Sequence, residues 1–260
     1  MNEQILNIIL ITLFAMFGAC IASFANVVAL RSAKGESFIN GRSRCPSCSG
    51  TLRWFELLPI ISWLIQGGSC RQCKASISPR YIIVEIIGAA ALSLSFARYS
   101  FSWSFLIAFG VMVILLLIAL IDFTTMEIPD VLVLALLPFA IGAIFAQPEI
   151  SLISRAIGLL TISLPMFLLA MIIKGAFGGG DIKLMAVIGV LLGWQSTLLA
   201  FFLAVIIAGT YALILIIGKK VKKGAQMPFG PYLCFGTMTA FIYGREIITW
   251  YLGLFGLYIL

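Results

Sequence analysis

Histidine is missing from all 260 residues of this chain. Its absence removes the usual general base near neutral pH, the Ser-His and Cys-His couples, and every His-containing metal site. Acid–base chemistry must therefore use carboxylates, lysine, tyrosine or cysteine. Charge is also scarce: 10% of residues are charged and 62% are hydrophobic, and the mean hydropathy is +1.14. Soluble domains carry about 25% charged and 45–50% apolar residues, so a soluble fold is excluded. The short alternating segments of a membrane barrel are lacking, whereas runs of roughly 20 apolar residues, enough to span a bilayer as a helix, recur along the chain. The fold class is all-α and polytopic.

The apolar runs predict spans at Ile5–Leu30, Tyr81–Ala97, Ser104–Ile121, Val131–Ala146, Leu152–Ile173, Ile182–Trp194 and Thr197–Ile217. An apolar tail follows from Pro231, interrupted by "YGREI" (243–247), and forms one tilted helix or two shorter ones. About eight transmembrane helices result. The opening "MNEQ" carries no Lys or Arg, so the first run reads as a retained span and not a cleaved signal. Three parts are expected: a first transmembrane helix (1–30), a cytoplasmic loop domain (31–80) and a transmembrane core (81–260).

The net charge is +7. Its distribution argues for membrane topology and against a nucleic-acid partner. Arg31, Lys34, Arg42, Arg44, Arg53, Arg71, Lys74 and Arg80 crowd residues 31–80, and "KKVKK" fills 219–223. Counting crossings puts both on one side, the cytoplasm, with Lys174 and Lys183. Arg98, Arg155 and Arg245 fall elsewhere. The N-terminus lies outside, and segments 122–130 and 174–181 both face the cytoplasm.

Within the first basic loop, "CPSC" and "CRQC" supply Cys45, Cys48, Cys70 and Cys73, with 21 residues between the two knuckles. Four thiolates on two tight turns suit one tetrahedral Zn²⁺. The alternatives are a redox pair or unliganded thiols. Cytoplasmic thiols stay reduced, which disfavours structural disulfides. Four protein ligands leave no open position, so the zinc would be structural, stabilising a loop too polar to fold alone. Cys20 and Cys234 lie in apolar runs and read as small packed residues.

Three aspartates occur: Asp122, Asp130 and Asp181. Ionisable residues at membrane depth are functional candidates. Asp130, in "EIPD", reads as a helix cap, and Asp181 also directly precedes a helix. Asp122 ends a long apolar helix, where the macrodipole disfavours a negative charge. A carboxylate pair gives that placement a purpose. Two carboxyls held together share a proton; the anion activates water and the neutral acid polarises a carbonyl. Gly178, Gly179 and Gly180, lacking Cβ atoms, would let a substrate backbone approach.

These residues resemble a known family. Gly178-x-Gly180-Asp181 matches the GxGD signature of membrane aspartyl proteases. "GDIKLMAVIGVLLGW", "IDFTTMEIPD", "GACIASFANVVALR", the paired C-x-x-C loop and "MPFGPYLCFG" together are similar to bacterial type IV prepilin peptidases, over residues 18–236. The resemblance implies cleavage of the basic leader of prepilins and pseudopilins after a glycine, at the cytoplasmic face of the inner membrane. It further implies N-methylation of the new N-terminal residue, often Phe, from S-adenosylmethionine. Carried over, Asp122 and Asp181 are the catalytic pair, and Cys45, Cys48, Cys70 and Cys73 hold zinc in the loop associated with the methylating form. The chain departs from the family pattern at Ile82 and Ser32, where proline is common. Asp122, Glu127, Asp130 and Asp181 make an acidic cluster suited to a basic leader.

Rival readings are a proton-coupled transporter, a scaffold anchoring a zinc module, or another GxGD protease. No inverted repeat is visible to support transport. The cysteine loop and "PFGP" argue against the other proteases.

Overall fold

The structure, a computed structural model, describes residues 3–37, 41–173, 175–219 and 227–256. Lys174 and Lys220, Lys222 and Lys223, used above to orient the chain, lie outside the described residues. The elements are all helical: α1 (Glu3–Ser32), a 3₁₀ turn (Trp54–Leu57), α2 (Ile61–Ile65), α3 (Arg80–Tyr99), α4 (Trp103–Thr125), α5 (Asp130–Ala146), α6 (Leu152–Thr161), α7 (Ser163–Ile172), α8 (Gly179–Ile217) and α9 (Gly230–Gly253). By length and composition, α1, α3, α4, the α6–α7 pair and α8 can each cross a membrane, and α5 is a shorter apolar helix. From Gly230 to Gly253 the apolar tail is one helix that runs through "YGREI".

The chain divides into two units, residues 1–101 and 102–260. In the first, α1 and α3 form an antiparallel pair, and the segment between them carries the four cysteines. Small residues let the backbones meet: a Cβ on Gly18 would strike the Gly88 carbonyl, and one on Gly88 would strike Ala22. Phe14 stacks on Phe96 with centroids 4.3 Å apart.

In the second unit α9 packs on α8 and α4, while α5 packs on α8 and α4 and α6 on α8. Local chemistry sets the helix ends. Ser102 caps α4 by accepting from the Phe105 N–H, and Ser151 caps α6 by accepting from the Ser154 N–H. Met126 ends α4 in the left-handed region, its N–H donating to the Asp122 carbonyl at 2.8 Å. Pro165 cannot donate back to Thr161, and the chain breaks between α6 and α7 at Ile162. Inside α8, Gly193 stands at φ +73°, a conformation that kinks the helix into two segments.

Arg155 is 2% exposed and ties three helices together. Its guanidinium donates to Val190 and Leu191, just before the α8 kink, and to Ala143 and Gln147 at the end of α5, at 2.7–3.1 Å. Those are helix-terminal carbonyls that hydrocarbon would leave unsatisfied. The α5 and α8 ends joined by Arg155 are opposite to the ends that carry Asp130 and Asp181.

Candidate active site and metal centre

On α4, Val111, Leu115 and Ile118 form a buried stripe, and Asp122 occupies the next place on that face at 5% exposure. Helix periodicity therefore turns the carboxylate inward. Its Oδ2 accepts the Gly230 N–H at 2.9 Å. Gly230 opens α9, so the carboxylate at the unfavourable C-terminal end of α4 faces the positive N-terminal end of another helix. The electrostatic cost inferred from sequence is thus offset by an element far away in the chain.

Asp181 sits in the first turn of α8, on the face continued by Leu184, Met185 and Ile188. Its Oδ2 accepts from the Gly178 N–H at 3.3 Å, the acidic half of a capping arrangement. Asp122 is close enough to act electrostatically on Asp181, and Cys234 on α9, which packs on both α4 and α8, is buried. The link after α4 closes the group. A Cβ on Gly180 would stand 2.8 Å from the Ile128 Cβ, and one on Gly230 would stand 2.7 Å from Asp122 Oδ2 and 3.2 Å from Ile128 Cδ1. Ile128 thereby wedges between the glycine beside Asp181 and the glycine beside Asp122. It also modifies the role expected for the triple glycine: Gly180 accommodates Ile128, while open space remains around Gly179.

Asp130 is the first residue of α5, after Pro129 at the cap position. Lys183 Nζ donates to both of its carboxylate oxygens at 2.9 and 2.8 Å. Its charge is matched within the protein, which thins the acidic cluster expected to meet a basic leader. Phe229, next to Gly230, packs against Phe177 and Phe201 with centroids 6.0 and 6.1 Å away, giving the site an apolar flank.

The four cysteines of the first unit converge. All four Sγ atoms lie within 4.8 Å of one another, and Cys45 and Cys73 are 3.9 Å apart. Bonds of about 2.3 Å to one tetrahedral zinc place sulfurs roughly 3.8 Å apart, so the set fits that ion. The two knuckles repeat one backbone design. Cys45 and Cys70 donate N–H bonds to Gly50 and Ala75, and Ser49 and Lys74 donate to the Cys45 and Cys70 carbonyls. Ser49 and Lys74 both adopt positive φ, 58° and 61°, and isolated bridges pair Arg44 with Thr51 and Ser69 with Ser76. Backbone N–H groups of Cys48 and Ser47 lower the Cys45 thiol to about 6, favouring the thiolate a metal needs. Cys73, despite the Ala75 N–H pulling it down, is raised to about 11 by desolvation and by its thiol neighbours.

Residues 16–99 match the bacterial peptidase A24 N-terminal domain, and residues 109–213 match the type IV leader peptidase family. A prepilin leader peptidase/N-methyltransferase of Bacillus subtilis (strain 168) is 32% identical over 94% of this chain and 98% of its own length. The chain belongs to the type IV leader peptidase family. Proteins of the same name from Dichelobacter nodosus and Pseudomonas aeruginosa are 36% and 32% identical, over 79% and 81% of the chain and 72% and 74% of their own lengths. No solved structure matches.

Both carboxylates of this leader peptidase family member lie inside the 109–213 match and all four cysteines inside 16–99. Gly230 lies beyond both. Nothing in "MPFGP" by itself gives Gly230 a task; Pro231 directly after it is the available sign of a helix start. Ile128 carries no sign. Arg155 does, as a cation on the side where the charge rule predicts few. Two further polar side chains in the first unit escape a reading of the sequence: Asn26 on α1, 1% exposed with both amide atoms unpartnered, and Glu85 on α3, 7% exposed.

Proposed function

We propose that the chain cuts the basic leader from type IV prepilins or pseudopilins after a glycine, then N-methylates the exposed N-terminus. Relatives named prepilin leader peptidase/N-methyltransferase match it over 81% to 94% of the chain. The observation that supports the site assignment is that Ile128 packs against both Gly180, beside Asp181, and Gly230, whose N–H donates to Asp122, with the two carboxylates near enough to act on each other.

In this reading the carboxylates act as one titrating unit. The ionised member takes a proton from water, whose oxygen attacks the scissile carbonyl carbon; the protonated member donates to the carbonyl oxygen. Collapse of the tetrahedral adduct sends a proton to the leaving amine and regenerates the pair. The Gly230 N–H fixes one carboxyl and the Gly178 N–H the other. The space at Gly179 admits the substrate backbone.

The site faces the cytoplasm in a bacterial inner membrane. Eight spans result when α8 is counted as two segments and these are taken with α1, α3, α4, the α6–α7 pair, the shorter α5 and α9. Cys45, Cys48, Cys70 and Cys73 hold a structural Zn²⁺ in the loop between α1 and α3. S-adenosylmethionine, when bound, supplies a sulfonium-activated methyl group for the new amine.

Mass spectrometry of a prepilin incubated with the enzyme, with and without S-adenosylmethionine, tests the reading. Expected is a product shortened at glycine, and about 14 Da heavier when the donor is present. An uncut prepilin contradicts the peptidase assignment, and a cut product that never gains mass contradicts the methyltransferase assignment.

A further inference from the structure

Neither the carboxylate pair nor the cysteine centre accounts for Asn26. It lies at 1% exposure in a helix whose other large polar side chains, Glu3, Gln4, Asn7 and Arg31, stand near its two ends, and neither Oδ1 nor Nδ2 is hydrogen-bonded. A buried primary amide offers two donors and an acceptor, and leaving all of them unmet in an apolar seam is costly.

The α1–α3 register shows what Asn26 faces. Phe14 stacks on Phe96, Gly18 meets Leu92, and Ala22 meets Gly88. Each step is one turn up α1 and one turn down α3, so the next turn sets Asn26 opposite Val84 and beside Glu85. Glu85 is 7% exposed, and its Oε2 accepts the Ile60 N–H at 2.7 Å. Ile60 belongs to the segment between the two cysteine knuckles and stands at φ +62°. The cysteine loop is thus tied directly to the carboxylate that shares a level with the orphaned amide. That level is roughly 9 Å from the loop end of α1.

We propose that Asn26 and Glu85 form the binding subsite for the methyl donor, S-adenosylmethionine. This rests on the methyltransferase reading above. The donor carries a sulfonium and an ammonium, which the Glu85 carboxylate complements. Its amino-acid carboxylate and ammonium offer the acceptor and donor that the Asn26 amide lacks. The geometry also gives the cysteine loop a task in methylation: through Ile60 it holds Glu85 in place.

The test uses full-length enzyme in detergent and the variants N26L and E85Q. Leucine keeps the branching of the Asn26 side chain without its polar atoms, and the Glu85→Gln change keeps an acceptor for the Ile60 N–H while removing the charge. Equilibrium binding of S-adenosylmethionine is measured alongside prepilin cleavage and thermal unfolding. Both variants are expected to bind S-adenosylmethionine about tenfold or more weakly, with cleavage within about twofold of wild type and no lower unfolding temperature for N26L. Unchanged donor binding in both variants, while the wild type binds and methylates, overturns the assignment and leaves the methyltransferase reading standing. A wild type that cleaves yet neither binds the donor nor methylates overturns both.

Discussion

The Gly230 N–H donates to Asp122 Oδ2 at 2.9 Å, joining the first residue of α9 to a carboxylate near the end of α4. A glycine is required there because an added Cβ would stand 2.7 Å from that oxygen. Gly230→Ala is therefore predicted to push the Asp122 carboxyl out of line. Displacements near 1 Å cost about a hundredfold in rate. Steady-state kinetics on a prepilin peptide should show that loss in kcat, with KM little changed and zinc content unaltered.

Arg155 gives a stability prediction of a different kind. Substituting methionine keeps the bulk but strips four donors from carbonyls at the ends of α5 and the first segment of α8. Buried hydrogen bonds to a charged group contribute about 1.5–3 kcal/mol each and do not add simply. Arg155→Met is expected to lower unfolding stability by about 3 kcal/mol or more. Thermal unfolding in detergent measures this; an unchanged midpoint would show the carbonyls are satisfied another way.

The cysteine centre is predicted to be structural. Replacing Cys45 and Cys73 together with serine removes two of four thiols whose sulfurs lie within 4.8 Å of each other. Metal analysis should find stoichiometric zinc in the wild type and at least a tenfold loss, on the order of magnitude expected for a broken tetrahedral site. Prepilin cleavage should fall less than methylation, because Ile60 and Glu85 lie beside this loop whereas Asp122 and Asp181 belong to the other unit.

Much of this architecture is legible in the chain because hydrocarbon allows so few solutions. The predicted run Ile5–Leu30 becomes α1 (Glu3–Ser32), and Ser104–Ile121 becomes α4 (Trp103–Thr125). The expected break between Ile182–Trp194 and Thr197–Ile217 is realised within one helix. Gly193 alone takes a non-helical conformation, and the Thr197 hydroxyl donates to its carbonyl at 2.6 Å. The α6–α7 break is not among the predicted ones, although Pro165 marks it. Asp122 and Asp181 stand out in the sequence because charge beside apolar runs is costly. What meets Asp122 does not, since Gly230 is 108 residues away and only packing of α9 on α4 brings it there. Asp130 shows the opposite: its local context suggests a helix cap, while its carboxylate is engaged by Lys183, 53 residues on.

If Asp122 and Asp181 work as one catalytic unit, a kinetic cycle of D122N, D181N and the double variant on a single prepilin reads that coupling out. Each single change is predicted to lower kcat by about 10²–10⁴-fold, with the protein folded and zinc retained. The double variant should be no worse than the poorer single one, because residues of one machine do not add. A single variant keeping more than about a tenth of wild-type cleavage, or losses that multiply in the double variant, would contradict the claim.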